Sequence, residues 1–298
     1  MSLLLKSRRI FLQTALNTSL AGGFLASLPI PGLCATDRKL PKKPTYSCST
    51  INFTSLSLEK ACERIAALGF DAVDIWGELG CQHLNQVANN LKAEGLKELL
   101  EKHRLKLGSF SVYSAKYPPY ATLIGECGGS TVVRGSRRRR KDSVTEDMKD
   151  FLEELKPELE LCETHDSYLA IENHSGGDLL DQIDTIKAFV DLNQHKRLGI
   201  ALAPYHLMRH RESVADAIRT CGKQMLFIYF WTNEDGEKQM PGIGQTDVSD
   251  WVCALKDIEY SHYITPFMHH EPAPDRMTEL HRITRQYLDK TFETVFFQ

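Results

Sequence analysis

The sequence lacks the features that mark small cross-linked or metal-stapled domains. Its eight cysteines are scattered along the chain, and no two of them form a Cys-x-x-Cys pair. This spacing predicts neither a zinc knuckle nor a disulfide framework. It favours small buried side chains at Cys62, Cys162, Cys221 and Cys253.

An excess of positive charge is also missing. The formal net charge is -3 and falls to about -6 when Lys6, Arg8 and Arg9 of the N-terminal segment are left out. A mildly acidic body argues against nucleic acid as a partner, because such proteins usually carry a basic face. No linker or low-complexity stretch divides the chain after this segment, so we expect one domain with a sizeable core.

The N-terminal segment differs from the rest. Arg8 and Arg9 form a twin-arginine pattern, and an apolar stretch over 15–33 follows, broken by glycine and proline. This pattern predicts a twin-arginine signal peptide over 1–35, with a mature domain over 36–298 and cleavage after Ala35. We therefore expect a periplasmic or secreted protein with no membrane segment after cleavage. The alternatives are an uncleaved anchor and, less favoured, a lipid anchor at Cys34.

Short apolar runs alternate with amphipathic stretches along the rest of the chain. The predicted strands are 46–53, 72–76, 106–112, 130–134, 168–172, 198–203, 225–231 and 263–268. The predicted helices are 58–68, 87–103, a weak element at 118–127, 145–163, 179–192, 213–221, 248–256 and 276–288. Eight strand–helix repeats in roughly 250 residues predict an α/β fold, a single-domain (β/α)8 TIM barrel.

Four segments resemble, in order, the xylose isomerase-like TIM barrel family of sugar phosphate isomerases and epimerases. They are 69–76 (GFDAVDIW), 170–174 (AIENH), 198–206 (LGIALAPYH), and 241–244 (PGIG) with Asp247. The resemblance covers about 46–288. It implies a divalent metal held at the barrel mouth by carboxylates and a histidine, with glutamates that move a proton beside a carbonyl. Glu172 stands at the position of a metal-binding glutamate.

The chain departs from the pattern that the resemblance implies. Ala203 stands where strand six would carry an aspartate, and Phe267 stands where strand eight would carry a glutamate. Strand seven reads FIYFWTN over 227–233 and contains no histidine. The usual four-ligand site is therefore not expected.

Strand geometry suggests which side chains replace it. Residues two apart in a strand share a face, so Glu172 and His174, and likewise His269 and Glu271, are expected to point together toward the mouth. We predict a metal site of Glu172, His206 and His269, with manganese, zinc, cobalt or iron as the ion. The same argument makes Glu172, His269 and Glu271 the candidate catalytic residues.

Five further side chains are candidates for substrate contacts: Trp76, His83, His174, Tyr205 and Trp231. Aromatic rings at strand ends stack well on the apolar face of a sugar, but rim packing explains them equally well. For His83 and His174 the alternative is a structural hydrogen bond. For Glu271 the alternative is an ion pair with an arginine. Glu172 is hardest to assign to structure alone, because a carboxylate that ends an apolar strand is costly without a partner.

The basic run 137–141 follows the fourth predicted strand. Its two interpretations are a solvated loop and an anion clamp at the barrel mouth.

These patterns favour a metal-dependent isomerase, epimerase or related lyase that removes a proton beside a carbonyl of a small-molecule carbohydrate. The alternative is a non-catalytic barrel that binds a sugar or a partner through a degenerate metal site. Either protein is compatible with a homo-oligomer. An endonuclease of the same fold would need more metal ligands and a basic groove than the sequence contains.

Overall fold

A computed structural model describes residues 44–113 and 117–297. Eight parallel strands follow one another around a single sheet in chain order. Their bounds are β1 Ser47–Ser49, β2 Ala72–Trp76, β3 Lys106–Ser111, β4 Thr131–Gly135, β5 Tyr168–Glu172, β6 Leu198–Leu202, β7 Met225–Phe230 and β8 Ile264–Pro266. A parallel bridge between Tyr46 and Ile264 joins the last strand to the first. The predicted (β/α)8 barrel is confirmed.

Helices return the chain between the strands and cover the outside of the barrel. They are α1 Leu58–Ala67, α2 His83–Gln86, α3 Lys92–His103, α4 Ala121–Glu126, α5 Val144–Glu154, α6 Lys156–Thr164, α7 Ile183–Leu192, α8 Pro204–Arg209, α9 Val214–Cys221, α10 Ser249–Asp257 and α11 Pro274–Phe297. Among the described residues, no helix combines the length and the apolar character that a membrane span requires. The predicted signal peptide over 1–35 lies outside the described residues.

Several element bounds differ from the predicted ones for local reasons. The predicted first strand ends at Ser49 and continues as a 3-10 turn over Thr50–Phe53. The long helix predicted over 145–163 is two helices, because Pro157 removes a backbone donor near the start of α6. The N-cap of α5 is Ser143, since the Ser143 hydroxyl accepts from the Glu146 amide at 3.3 Å.

The short helix α8 was not expected. It begins directly after β6, with Pro204 at its first turn, a position where the missing amide proton costs nothing. Because of this helix, His206 lies on a helical turn against the barrel rather than in an open loop.

Small and large side chains on neighbouring strands fill the interior of the barrel. Strands β5 and β6 contribute Ala170 and Ala201, and Ala203 follows β6. The next strand, β7, contributes Phe227 and Tyr229 to the same buried cluster. The aromatic rings occupy the volume that the alanines leave, so the interior is a packed core rather than an open channel.

Candidate functional site

Glu172 lies at the end of β5, at the mouth of the barrel, and is only 6% exposed. The Tyr113 hydroxyl forms a hydrogen bond with its carboxyl group. Burial raises the pKa of Glu172 to about 8, and the negative charges of Asp74 and Asp178 add to this, whereas the Tyr113 hydrogen bond opposes it. The side chain is therefore largely an uncharged acid at neutral pH.

A second carboxylate, Asp74 of β2, lies fully buried at the centre of the barrel. Its Oδ2 accepts from the Trp76 indole nitrogen at 2.5 Å and from the Ser49 hydroxyl at 2.7 Å. Its Oδ1 accepts from the hydroxyls of Ser109 and Ser111, both at 2.8 Å. Burial raises the pKa of Asp74, and these donors oppose the rise. The hydrogen bonds thus take the place of a counter-ion.

Hydroxyl groups connect Asp74 with Glu172. Ser111 gives its one proton to Asp74, so its 2.7 Å contact with Tyr229 requires the Tyr229 hydroxyl to donate. The Tyr229 hydroxyl lies 3.3 Å from the Tyr113 hydroxyl. Because Tyr113 also contacts Glu172, a continuous chain of hydroxyls joins the two acids.

His206 is the third buried polar side chain near the mouth, 6% exposed on α8. The Ser175 hydroxyl lies 3.0 Å from its Nδ1. Burial lowers the pKa of His206 to about 2, and the nearby His174 and His269 add to the effect. The imidazole is therefore neutral at any physiological pH.

Four aromatic side chains, which we call the aromatic cap, cover the axis of the barrel: Trp76, Tyr205, Trp231 and Phe267. Trp76 stacks on Phe267 with centroids 5.6 Å apart, and Tyr205 stacks on Trp231 at 4.2 Å. Trp76 and Trp231 are both 2% exposed. Their ring faces therefore pack on protein, as the rim-packing interpretation expected, and only Tyr205 is half-buried.

The remaining candidates at the mouth lie at its rim. His174 is exposed, with its ring centroid 4.0 Å from that of His206 and its Nδ1 2.8 Å from the Ser175 carbonyl. His269 lies 3.8 Å from Glu271, and both are partly exposed. His269 also packs edge-on against Trp231, so it contacts the cap rather than Glu172.

His83 lies away from this group. It is fully buried in the first turn of α2, with Nδ1 3.2 Å from the Cys81 sulfur and Nε2 2.9 Å from the Leu56 carbonyl. Both ring nitrogens are thus engaged, and these contacts are those of a structural residue.

The structure does not gather Glu172, His206 and His269 into the predicted metal site. Over 44–113 and 117–297, no three histidine, cysteine, aspartate or glutamate side chains are placed to hold a metal ion. The reason is the packing around Phe267, which stacks on Trp76 and touches Tyr229 and Trp231, where a further ligand would be needed. Asp74 is no substitute, because four donors already surround its oxygens. The donor set does not fit the metal that the resemblance implies.

The basic run 137–141 is bound into a loop. Arg137 pairs with Asp147 at 2.8 Å and with Glu154 at 3.0 Å. Arg138 forms an antiparallel bridge with Asp178 in the loop after β5. These contacts favour the loop interpretation and leave no free clamp at Arg137.

Sequence reasoning missed Asp74, Tyr113 and Tyr229. Asp74 gives a signal of the kind that identified Glu172, since it is a carboxylate inside an otherwise apolar strand. The two tyrosines give no such signal, because tyrosine is common in buried strands.

A comparison with models of known protein families assigns the chain to one family of barrels. A family model described as xylose isomerase-like TIM barrel matches residues 62–287. No curated protein sequence matches.

Many solved structures share the fold at low sequence identity. The IOLI protein with a bound zinc atom has a TM-score of 0.68 and 15% identity, covering 84% of this chain and 99% of that chain. D-psicose 3-epimerase in the presence of D-fructose has a TM-score of 0.68 and 14% identity, covering 83% and 99%. The apo 3-keto-D-glucoside 4-epimerase YcjR from E. coli has a TM-score of 0.66 and 16% identity, covering 83% and 100%.

Proposed function

Because this chain belongs to the xylose isomerase-like TIM barrel family, we propose that it is a carbohydrate isomerase or epimerase that moves a proton beside a carbonyl group. Two of the similar solved structures are named as sugar epimerases, which supports a sugar as the substrate. Glu172 is the proposed acid–base residue, at the strand end where such barrels carry out their chemistry.

The observation that carries the proposal is the state of Glu172. A general acid or base works best when its pKa lies near the working pH, and the pKa of about 8 meets this condition. The C–H bond beside the carbonyl breaks, its proton passes to the ionised fraction of Glu172, and the electron pair forms an enediolate with its negative charge on the former carbonyl oxygen. Protonation of the enediolate from solvent on its other face gives an epimer, and protonation at the neighbouring carbon gives the aldose–ketose change.

The developing charge on the carbonyl oxygen needs a hydrogen-bond donor. Neutral His206 is the proposed donor: with the Ser175 hydroxyl donating to Nδ1, its Nε2 carries the proton. The metal dependence expected from the resemblance is not part of the proposal, since Ala203 and Phe267 replace ligands and the cap fills the space.

Proton exchange in D2O tests this function. Purified protein is incubated with aldoses, ketoses and 3-keto-glycosides, and loss of the C–H signal is followed by proton NMR. We expect exchange with at least one sugar, reduced at least about 100-fold in Glu172→Gln. Glu234→Gln, on a carboxylate bound to Gln245 and Thr246 in another loop, is the matched control. Equal exchange in both variants would refute the role of Glu172.

The aromatic cap favours a second candidate, a non-catalytic barrel that binds a sugar or a partner. Glu172 has little contact with solvent, and three rings of the cap are themselves buried: Trp76, Trp231 and Phe267. Sugar binding that persists unchanged in Glu172→Gln, without exchange in the wild type, would support this candidate.

We also propose that residues 1–35 direct export by the twin-arginine route, to the periplasm or outside the cell. The support is the Arg8-Arg9 pair followed by an apolar stretch. Replacing both arginines by lysine in the full chain should leave the protein in the cytoplasm, and unchanged export would contradict the proposal.

A further inference from the structure

A cavity of about 470 Å³ opens beside the candidate site, and we call it the lateral cavity. It lies where β4 ends, beneath α5 and α6, and Tyr113, Arg134, Gly135, Glu154 and Glu158 line it. Its volume lies within the range of small-molecule sites. The cavity meets the candidate site at Tyr113.

The charges around the lateral cavity are balanced. Arg134 pairs with Glu158. Arg137 pairs with Asp147 and Glu154, and Arg140 lies 2.7 Å from Glu154. Because each of these guanidinium groups has a carboxylate partner, the lining offers no uncompensated cation to an anionic ligand.

The buried pair Arg134–Glu158 nevertheless leaves two polar atoms without partners. Arg134 Nε is a donor and Glu158 Oε2 is an acceptor, both are buried, and neither makes a hydrogen bond. Buried groups of this kind are rare in folded proteins and are costly unless a bound molecule completes them. A hydroxyl group both donates and accepts, so a ligand hydroxyl suits a lining that presents donors and acceptors together.

The cavity also leads to the candidate acid. Tyr113 lines it, and the Tyr113 hydroxyl forms the hydrogen bond with Glu172. Gly135 keeps the passage open: a Cβ built there would lie 3.8 Å from Tyr113 Cδ1, at van der Waals contact. A larger side chain at this position would therefore project into the space without a backbone clash.

We propose that the lateral cavity binds an uncharged, hydroxyl-rich ligand, a neutral sugar or polyol, with its hydroxyl groups against the Arg134–Glu158 pair. Binding there is independent of chemistry; that the ligand is also the substrate of Glu172 rests on the proposed function. The inference assigns the substrate class as neutral rather than acidic sugars.

Saturation-transfer NMR and calorimetry on the full chain test the site, with D-glucose, D-fructose and D-glucitol as neutral probes and D-glucuronate as the anionic one. We expect at least one neutral probe to bind and D-glucuronate to bind more weakly. Gly135→Val should weaken neutral binding at least about tenfold by filling the cavity, and Glu158→Gln roughly tenfold by replacing the acceptor oxygen. Glu153→Gln, on an exposed ion pair of the same helix, should bind like the wild type.

Two results would overturn the inference: no binding of any neutral probe, or neutral binding that both variants leave unchanged while they melt like the wild type. Preference for D-glucuronate would overturn the assigned ligand class. The proposed function fails separately. If Gly135→Val loses neutral binding and the wild type shows no proton exchange, the cavity is supported as a binding site and the proposed enzymatic function fails. Proton exchange that persists in Gly135→Val, while neutral binding is lost, keeps the enzyme and shows that the cavity ligand is not its substrate.

Discussion

Glu172 should make the stability of the protein fall as the pH rises. Its pKa is raised from 4.5 to about 8 in the folded chain, so folding retains a proton that the unfolded chain gives up. The stabilising contribution is complete below pH 4.5 and is lost as the pH rises through about 8. At about 1.4 kcal/mol for each pKa unit, this loss is on the order of 4 kcal/mol between about pH 5 and about pH 9.

Glu172→Gln keeps the shape and the acceptor for Tyr113 but cannot ionise. Relative to the wild type, it should therefore gain on the order of 4 kcal/mol over the same interval. Urea unfolding at both pH values measures the difference, and comparison with the wild type cancels the groups that the two proteins share.

Glu234→Gln is the control for a carboxylate whose pKa is lowered. Hydrogen bonds from Thr246 and Gln245 outweigh the partial burial of Glu234 and lower its pKa, so its stabilising contribution is already complete above pH 4.5. The free energy of unfolding of this variant should therefore differ from that of the wild type by nearly the same amount at both pH values. A pH-independent difference for Glu172→Gln as well would refute the argument that Glu172 is a buried uncharged acid.

Three other predictions follow from the packing. Asp74→Ala leaves the Trp76 indole and several hydroxyls without an acceptor. It should lower the free energy of unfolding, measured by urea titration, by roughly 3–5 kcal/mol, and a loss under about 1 kcal/mol would contradict the network. Burial lowers the pKa of His281 to about 3, so its NMR signals should not titrate above about pH 5. The stability of the protein should fall as the pH drops below 6.5, because the unfolded chain then binds a proton that the buried imidazole does not. A midpoint of the His281 NMR titration near 6.5 would argue against burial. Zinc or manganese added to chelator-treated protein should leave the melting temperature unchanged, whereas a rise of several degrees would show a metal site.

The fold was predictable because each of its elements has a local signal. Alternating short apolar runs and amphipathic stretches identified all eight strands, since parallel strands and crossover helices have different periods. The observed helix bounds differ from the predicted ones where single prolines interrupt or start a helix. Pro157 divides one helix, and Pro204 starts another that the strand pattern had hidden.

The site was less predictable, because its contacts depend on side chains from distant strands. Glu172 could be found from its position at a strand end. The contact between Tyr113 and Tyr229 joins residues 116 positions apart and leaves no local pattern. Equally, Phe267 is recognisable in the sequence as a missing ligand, but no local pattern indicates that its ring stacks on Trp76.

Ala203 and Phe267 belong to one packed cluster at the mouth of the barrel, so single substitutions at these positions would not restore a metal site. An aspartate placed at position 203 alone would enter a fully buried cluster that Trp231 and Phe267 share, and would carry an unpaired charge there. A glutamate placed at 267 alone would remove the ring on which Trp76 and Tyr229 pack. Each single substitution would therefore give a protein less stable than this one or than a barrel with both ligands and a bound metal. The change to a metal-binding barrel thus requires substitutions at both positions together.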